Sequence, residues 1–175
     1  MENMTGIPLA YFITFTCYGT WLHGEKQTSV DRFTNILGTP FLTYNRAKAY
    51  LVKTQMSEDA YLLDYAKRKI VLNAILAVCN YRQWTVFAVH VRTNHVHVVI
   101  RALCAPELIM NTIKAYASRH LNEALSERKK NRWTRHGSTI YLWREEEIEA
   151  TIQYVIRGQG EAMALYENVD RIVRY

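Results

Sequence analysis

Two histidines define the chemistry open to this chain. His95 and His97 flank Val96 in the run 89–100, VHVRTNHVHVVI, which reads as two β-branched stretches around a polar turn at Arg92, Thr93 and Asn94. Successive side chains of a strand point to opposite faces, so the two imidazoles share one face and Val96 takes the other. Their α-carbons stand about 6–7 Å apart, two strand rises. Both rings can then converge on one divalent ion, whose bonds to nitrogen are about 2 Å long. Two side chains do not fill a coordination shell. Open positions would remain for substrate oxygens, and a third protein ligand must come from elsewhere. The plainer alternative is a pair of histidines solvated or hydrogen-bonded on the open face of a sheet.

A metal needs something to activate, and the chain offers twelve tyrosines. Helical geometry separates two of them. Ile109, Ile113, Tyr116 and Ala117 recur at i, i+4, i+7 and i+8, which assigns Tyr116 to core packing. Tyr154 falls roughly 150° from the centre of the stripe formed by Ile148, Ile152, Val155 and Ile156. It is either an ordinary surface tyrosine or a hydroxyl spare for chemistry. A free phenol, with a pKa of about 10, is a poor nucleophile at neutral pH, so close cationic charge is what would make its oxygen competent.

A third group could bind a polyanion. Residues 127–137, ERKKNRWTRHG, bring Arg128, Lys129, Lys130 and Arg132 together with Trp133, and Lys114 and Arg119 lie off the apolar stripe of the preceding helix. Such a run is commonly a solvated loop. Beside a metal site it could contact phosphates, with Trp133 stacking on a base.

These residues require a frame. Residues 9–17 (LAYFITFTC) read as a first strand, followed by a glycine-broken segment and an irregular excursion over 25–57 that carries Arg32, Arg46 and Lys48, with a turn at Gly38-Thr39-Pro40. Ser57, Glu58 and Asp59 offer helix-start chemistry, and apolar residues at helical spacing predict a helix from 59 or 64 to 81. Strands over 84–91 and 95–100 form a tight hairpin. Pro106 and Glu107 open a second helix. A short strand covers 138–143, and Glu145, Glu146 and Glu147 begin a last helix that Gly158 and Gly160 stop. The order β-α-β-β-α-β with a further helix specifies an α+β fold. It is a ferredoxin-like, RRM-like antiparallel sheet with helices on one face, plus a C-terminal helix carrying Tyr154. The histidine pair sits on a central strand.

The 175 residues suit a single domain spanning 1–175, and 49% hydrophobic with 22% charged residues is ordinary for a globular protein. A net charge of +6 and a pI near 9.3 favour a polyanionic partner, nucleic acid first. No apolar run approaches the roughly 20 residues that cross a bilayer, and the first residues lack a secretory pattern, so no membrane partner is expected. Cys17, Cys79 and Cys104 are too few and too scattered for a disulfide framework and read as buried thiols. The expectation is a cytoplasmic protein.

The chain resembles the single-tyrosine HUH transposases, those of small insertion sequences and the related REP-associated tyrosine transposases. The segments that carry the likeness are TFTCYGTWLHG (14–24), TNHVHVVI (93–100), IKAYASRHLN (113–122) and IYLWREEEIEATIQYVIRGQGE (140–161). The resemblance implies that His95 and His97 hold Mg²⁺ or Mn²⁺ against the scissile phosphate of single-stranded DNA. It also implies that Tyr154 attacks phosphorus, leaving a 5′-phosphotyrosine link and a free 3′-hydroxyl, so that the metal acts as Lewis acid and template. Hairpin-containing DNA and a homodimer, with the tyrosine acting in cis or in trans, are both compatible with the family. One departure concerns the third ligand, commonly a polar residue one helical turn after the tyrosine. Here that position is Gly158, followed by Gln159. If the helix stops at Gly158, Gln159 can swing toward the metal; if it continues, Gln159 faces the apolar stripe.

Two other readings compete. A non-catalytic single-stranded nucleic-acid-binding module would use the sheet as RNA-recognition domains do, but such modules need aromatics where this chain has histidines. A metal phosphoesterase using water would leave Tyr154 without a role.

Overall fold

The computed structural model describes residues 6–20, 58–126, 128 and 131–170. The excursion with Arg32, Arg46 and Lys48, the residues 21–24 of the first family-like segment, and Lys129 and Lys130 of the basic loop lie outside the described residues. Among those described, the order is β1 (Ala10–Thr16), α1 (Tyr65–Tyr81), β2 (Thr85–Val91), β3 (His95–Arg101), α2 (Pro106–Leu125), β4 (Ser138–Leu142), α3 (Glu145–Arg157) and β5 (Ala164–Glu167). The sheet runs β4-β1-β3-β2-β5, every neighbouring pair antiparallel. Its first four strands reproduce the expected split βαβ order. β5, which the sequence reading does not anticipate, extends the sheet beside β2. It is only four residues long, too short for a persuasive period-2 signal.

The alternation of β1 decides what each face carries. Tyr11, Ile13 and Phe15 point to one side with Val96, Val98 and Ile100 of β3, and α1 and α2 cover that side. Val71, Ile75 and Val78 of α1 and Ile109, Ile113 and Leu121 of α2 are fully buried there. The opposite face holds a smaller cluster: Ala10, Phe12, Phe87, Ala88, Val99 and Leu142 under Ile148, Ile152 and Val155 of α3. Phe87 and Ala88 both serve this side because the β2–β3 register shifts between Val86 and Ala88, a bulge that breaks strict alternation. Helices therefore lie on both faces, and among the described residues α3 is the helix on the histidine side.

Helix starts follow local chemistry. Asp64 caps α1 by accepting from the Lys67 amide at 2.9 Å, so the helix begins after 64, the later of the two anticipated starts. Pro106 occupies the first turn of α2, where its missing N–H costs nothing. At α3, Glu147 accepts from the Trp143 and Arg144 amides (2.8 and 3.2 Å) and pairs with the Arg144 guanidinium, which anchors the N-terminus of the helix that carries Tyr154.

Candidate active site

The β2–β3 turn is held from two sides before the histidines begin. The Cys17 amide donates to the Asn94 carbonyl at 2.8 Å, and the Leu63 amide to the Thr93 carbonyl at 2.8 Å. His95 and His97 then follow on β3, their rings 4.7 Å apart and nearly edge to face. Each is buried, 8% and 4% exposed. Asn94 Oδ1 accepts from His95 Nδ1 at 2.7 Å, which leaves the lone pair of His95 on Nε2. Across the ladder, Thr14 Oγ1 lies 2.8 Å from His97 Nδ1. Side chains that fix imidazole orientation in this way are what a metal site requires of its surroundings.

Helix α3 brings the tyrosine to this face. Ile148, Ile152 and Val155 are buried against the sheet, and the ring of Tyr154 is 50% exposed, off that stripe as helical geometry predicts. It stands edge-on to Phe12 at 6.1 Å and to His97 at 6.0 Å between ring centroids. The helix ends at Arg157 with Gly158 as its cap. That is the condition under which Gln159 can leave the apolar stripe, and its Oε1 lies 3.2 Å from His97 Nε2. A Cβ at position 158 would stand 2.7 Å from the Tyr154 carbonyl oxygen and 3.0 Å from its ring carbon Cδ2. Glycine is thus the residue that lets chain and ring share this corner.

Burial, with the nearby Arg92 guanidinium second, pushes His95 down to about 4; burial and then the charge of His95 push His97 down to about 3, each partly opposed by hydrogen bonding to Gln159. Both are neutral at physiological pH, the state in which imidazole ligates. Among the described residues no three His, Cys, Asp or Glu side chains converge on a metal position, and the Gln159 amide oxygen stands at the pair as a third donor. Two imidazoles and an amide oxygen fit a divalent ion. The set suits Mn²⁺ better than Mg²⁺, which prefers an all-oxygen shell.

Three of the residues read as DNA contacts are engaged within the fold. Lys114 is buried; its Nζ donates to the Thr134 and His136 carbonyls at 2.9 and 3.2 Å, and burial lowers it to about 8. Arg132 is 3% exposed, bonded to Tyr61 and Asn122. Trp133 spends its indole N–H on the Lys114 carbonyl and Ser118 and packs edge-on against Phe15. All three serve the packing of the 131–136 segment, which corrects their reading as a phosphate and base surface. The bridge between Trp133 and Cys17 draws that segment onto the sheet. Arg119 is exposed, its guanidinium over the half-buried Tyr116, and Arg128 is also exposed.

Three neighbours of the site escape the sequence reading. Thr14 is set beside His97 by strand register, which no local pattern encodes. His90 pairs with His97 across the hairpin; counting outwards from a three-residue turn at 92–94 would set it opposite Val96, but the Arg92 amide donates to the His95 carbonyl at 2.8 Å, and Thr93 and Asn94 form a two-residue turn. It is fully buried, donates from Nδ1 to the Val155 carbonyl at 2.9 Å and accepts the Met163 amide on Nε2 at 3.2 Å. Burial lowers its pKa, against the bond to Val155, which raises it. Arg92 donates to the Glu161 carbonyl at 2.7 Å.

A search of curated proteins finds no match. The fold is similar to that of a REP-associated tyrosine transposase solved bound to a REP hairpin (13% identity over 89% of this chain and 70% of that one, TM-score 0.46). It is also similar to that of a candidate transposase from Deinococcus radiodurans R1 (14% identity over 93% of this chain and 100% of that one, TM-score 0.44). The model of the family described as IS200-like transposases matches residues 45–155, more than half of the sequence and inclusive of His95, His97 and Tyr154. The chain belongs to the IS200-like transposase family.

Proposed function

We infer that this transposase is a metal-dependent single-stranded DNA endonuclease and strand-transferase that works through a 5′-phosphotyrosine intermediate. The observation that carries this reading is the juxtaposition, within one chain, of a half-exposed Tyr154 and the buried His95–His97 pair, with 6.0 Å between the Tyr154 and His97 rings. His95, His97 and Gln159 would hold Mn²⁺ or Mg²⁺. The ion supplies Lewis-acid polarisation of the scissile phosphate. The phenol of Tyr154 gives up its proton as its oxygen forms the new bond to phosphorus, the bond to the 3′-oxygen breaks, and that oxygen takes up a proton and leaves as a 3′-hydroxyl. Asn94 and Thr14 keep the imidazoles oriented, and Phe12 supports the tyrosine ring edge-on. Resealing onto a different 3′-hydroxyl reverses the step and completes strand transfer.

Incubation with single-stranded DNA and Mn²⁺ should give a protein–DNA adduct that survives denaturing electrophoresis and maps to Tyr154. Metal-dependent cleavage without an adduct would identify water as the nucleophile. Binding with neither would leave the non-catalytic single-strand binder.

A further inference from the structure

Helix α3 ends where its two site residues diverge: Tyr154 is on its last turns, Gln159 beyond its cap. Once the helix stops, the Val155 carbonyl loses the intrahelical partner that a continued helix would give it. No helical hydrogen bond then fixes where Gln159 lies. The structure supplies other attachments. His90 Nδ1 donates to the Val155 carbonyl at 2.9 Å, and its Nε2 accepts the Met163 amide at 3.2 Å. Arg92 donates to the Glu161 carbonyl at 2.7 Å. The path from 155 to 163 is thereby tied to the β2–β3 hairpin at Val155, Glu161 and Met163, with Gln159 between the first and second. Gly160, at φ +73°, makes the reversal between them.

We propose that His90 is a positioning residue, one that bridges the end of α3 to the start of β5 and so sets Tyr154 and Gln159 against the histidine pair on the neighbouring strand. The proposal rests on the phosphotyrosine reading for its effect on catalysis, but the bridge itself is a property of the fold. A single imidazole does this because it offers a donor and an acceptor on opposite edges, and both are used. Its partners are both main-chain groups, one in a helix terminus and one leading into a strand. Loss of the side chain would leave a buried carbonyl and a part-buried amide to find new partners, moving the segment that carries Gln159.

Three variants test this. His90→Leu keeps bulk and removes both bonds; His90→Asn keeps a donor near the position of Nδ1; His90→Gln keeps an acceptor near the position of Nε2. With His90→Leu, Mn²⁺ binding by calorimetry should weaken by about tenfold or more. Single-turnover adduct formation should slow by about 10–100-fold, the range found when groups supporting a metal site are removed. Affinity for single-stranded DNA in EDTA should stay within about twofold of wild type on the same account, and amide exchange at Met163 should accelerate. His90→Asn should recover most of the rate by restoring the bond to Val155, and His90→Gln should not. Wild-type Mn²⁺ affinity and rate in His90→Leu would overturn the proposal, as would equal losses of DNA binding and adduct rate, which mean general loss of structure. If His90→Leu does not fold, the Asn–Gln contrast decides, and equal rates for the two count against the bridge. If wild-type protein forms no adduct with any divalent ion, the phosphotyrosine reading fails, and the Mn²⁺ titration and Met163 exchange still judge the role of His90.

Discussion

His90 and His97 sit directly opposite one another on neighbouring strands, yet their side chains hold different things: His97 meets Thr14 and Gln159, and His90 meets two main-chain groups of the segment that follows Tyr154. The same residue type on one rung of the ladder faces the site in one case and braces it in the other. Burial does not separate them, since both are below 5% exposed; hydrogen-bond partners do.

Tyr154→Phe removes one oxygen from a half-exposed ring. The ring packing against Phe12 and His97 survives, so folding stability should change by less than about 1 kcal/mol, as for a surface substitution, and Mn²⁺ affinity should be unaltered. Adduct formation should disappear. Adduct mapping to Tyr116 in this variant would mean that the helical-face assignment of the nucleophile is wrong.

Thr14→Val is nearly isosteric and deletes the hydroxyl beside His97 Nδ1. Mn²⁺ affinity should fall by about tenfold, because the ring loses the partner that fixes its orientation. Affinity for single-stranded DNA without metal should hold. Calorimetry with and without DNA distinguishes the two, and unchanged Mn²⁺ affinity would count against His97 as a ligand.

Gly158→Ala introduces a Cβ 2.7 Å from the Tyr154 carbonyl and 3.0 Å from its ring. Relief must come from moving the tyrosine or the helix end, at a cost of about 1–3 kcal/mol typical of overpacking. Adduct formation should therefore fall more steeply than thermal stability. Denaturant titration alongside single-turnover kinetics would reveal this, and a full rate in Gly158→Ala would show that the corner tolerates a methyl group.

The buried histidines predict an acid limit to stability. His95 and His97 take up protons at about 4 and about 3 in the folded protein, against about 6.5 in an unfolded chain. Between those values the unfolded chain binds more protons, so stability rises with pH. It is fully present above about 6.5 and is lost progressively as pH falls from there towards 4 and 3. At about 1.4 kcal/mol per pKa unit, the pair should cost several kcal/mol by pH 4. Urea unfolding of metal-free protein from pH 4 to 7 should show this slope, and the double variant His95→Gln, His97→Gln should flatten it.

Lys114 and the exposed arginines should part company in a salt titration. Neutralising Arg119 and Arg128 should reduce the slope of log affinity against log salt by about 0.7 for each DNA phosphate that is no longer paired with an arginine. Lys114→Met should leave that slope unchanged and instead destabilise the fold, because the Thr134 and His136 carbonyls lose a buried donor. A flattened slope in Lys114→Met would return that lysine to the DNA surface.

These outcomes bear on what a sequence can disclose. The histidine pair and the exposure of Tyr154 were legible because each follows from a local period, two for a strand and 3.6 for a helix. The site of Gln159 hung on one residue, Gly158, and on whether the helix stopped there. Thr14 and His90 depend on which strands lie side by side and in what register, and that is settled by the packing of the whole sheet. Lys114 shows the converse error. An off-stripe charge reads as exposed, but a neighbouring segment folds over it and converts it into a donor for main-chain carbonyls. Charge counts along a helix do not register what is later laid on top.

The end of α3 has a mechanical corollary. Tyr154 and Gln159 arrive at the histidines on one continuous stretch, from one direction, with Gly158 between them. A displacement of the helix end therefore bears on the phenol and the amide together, and a single substitution at Gly158 reaches both.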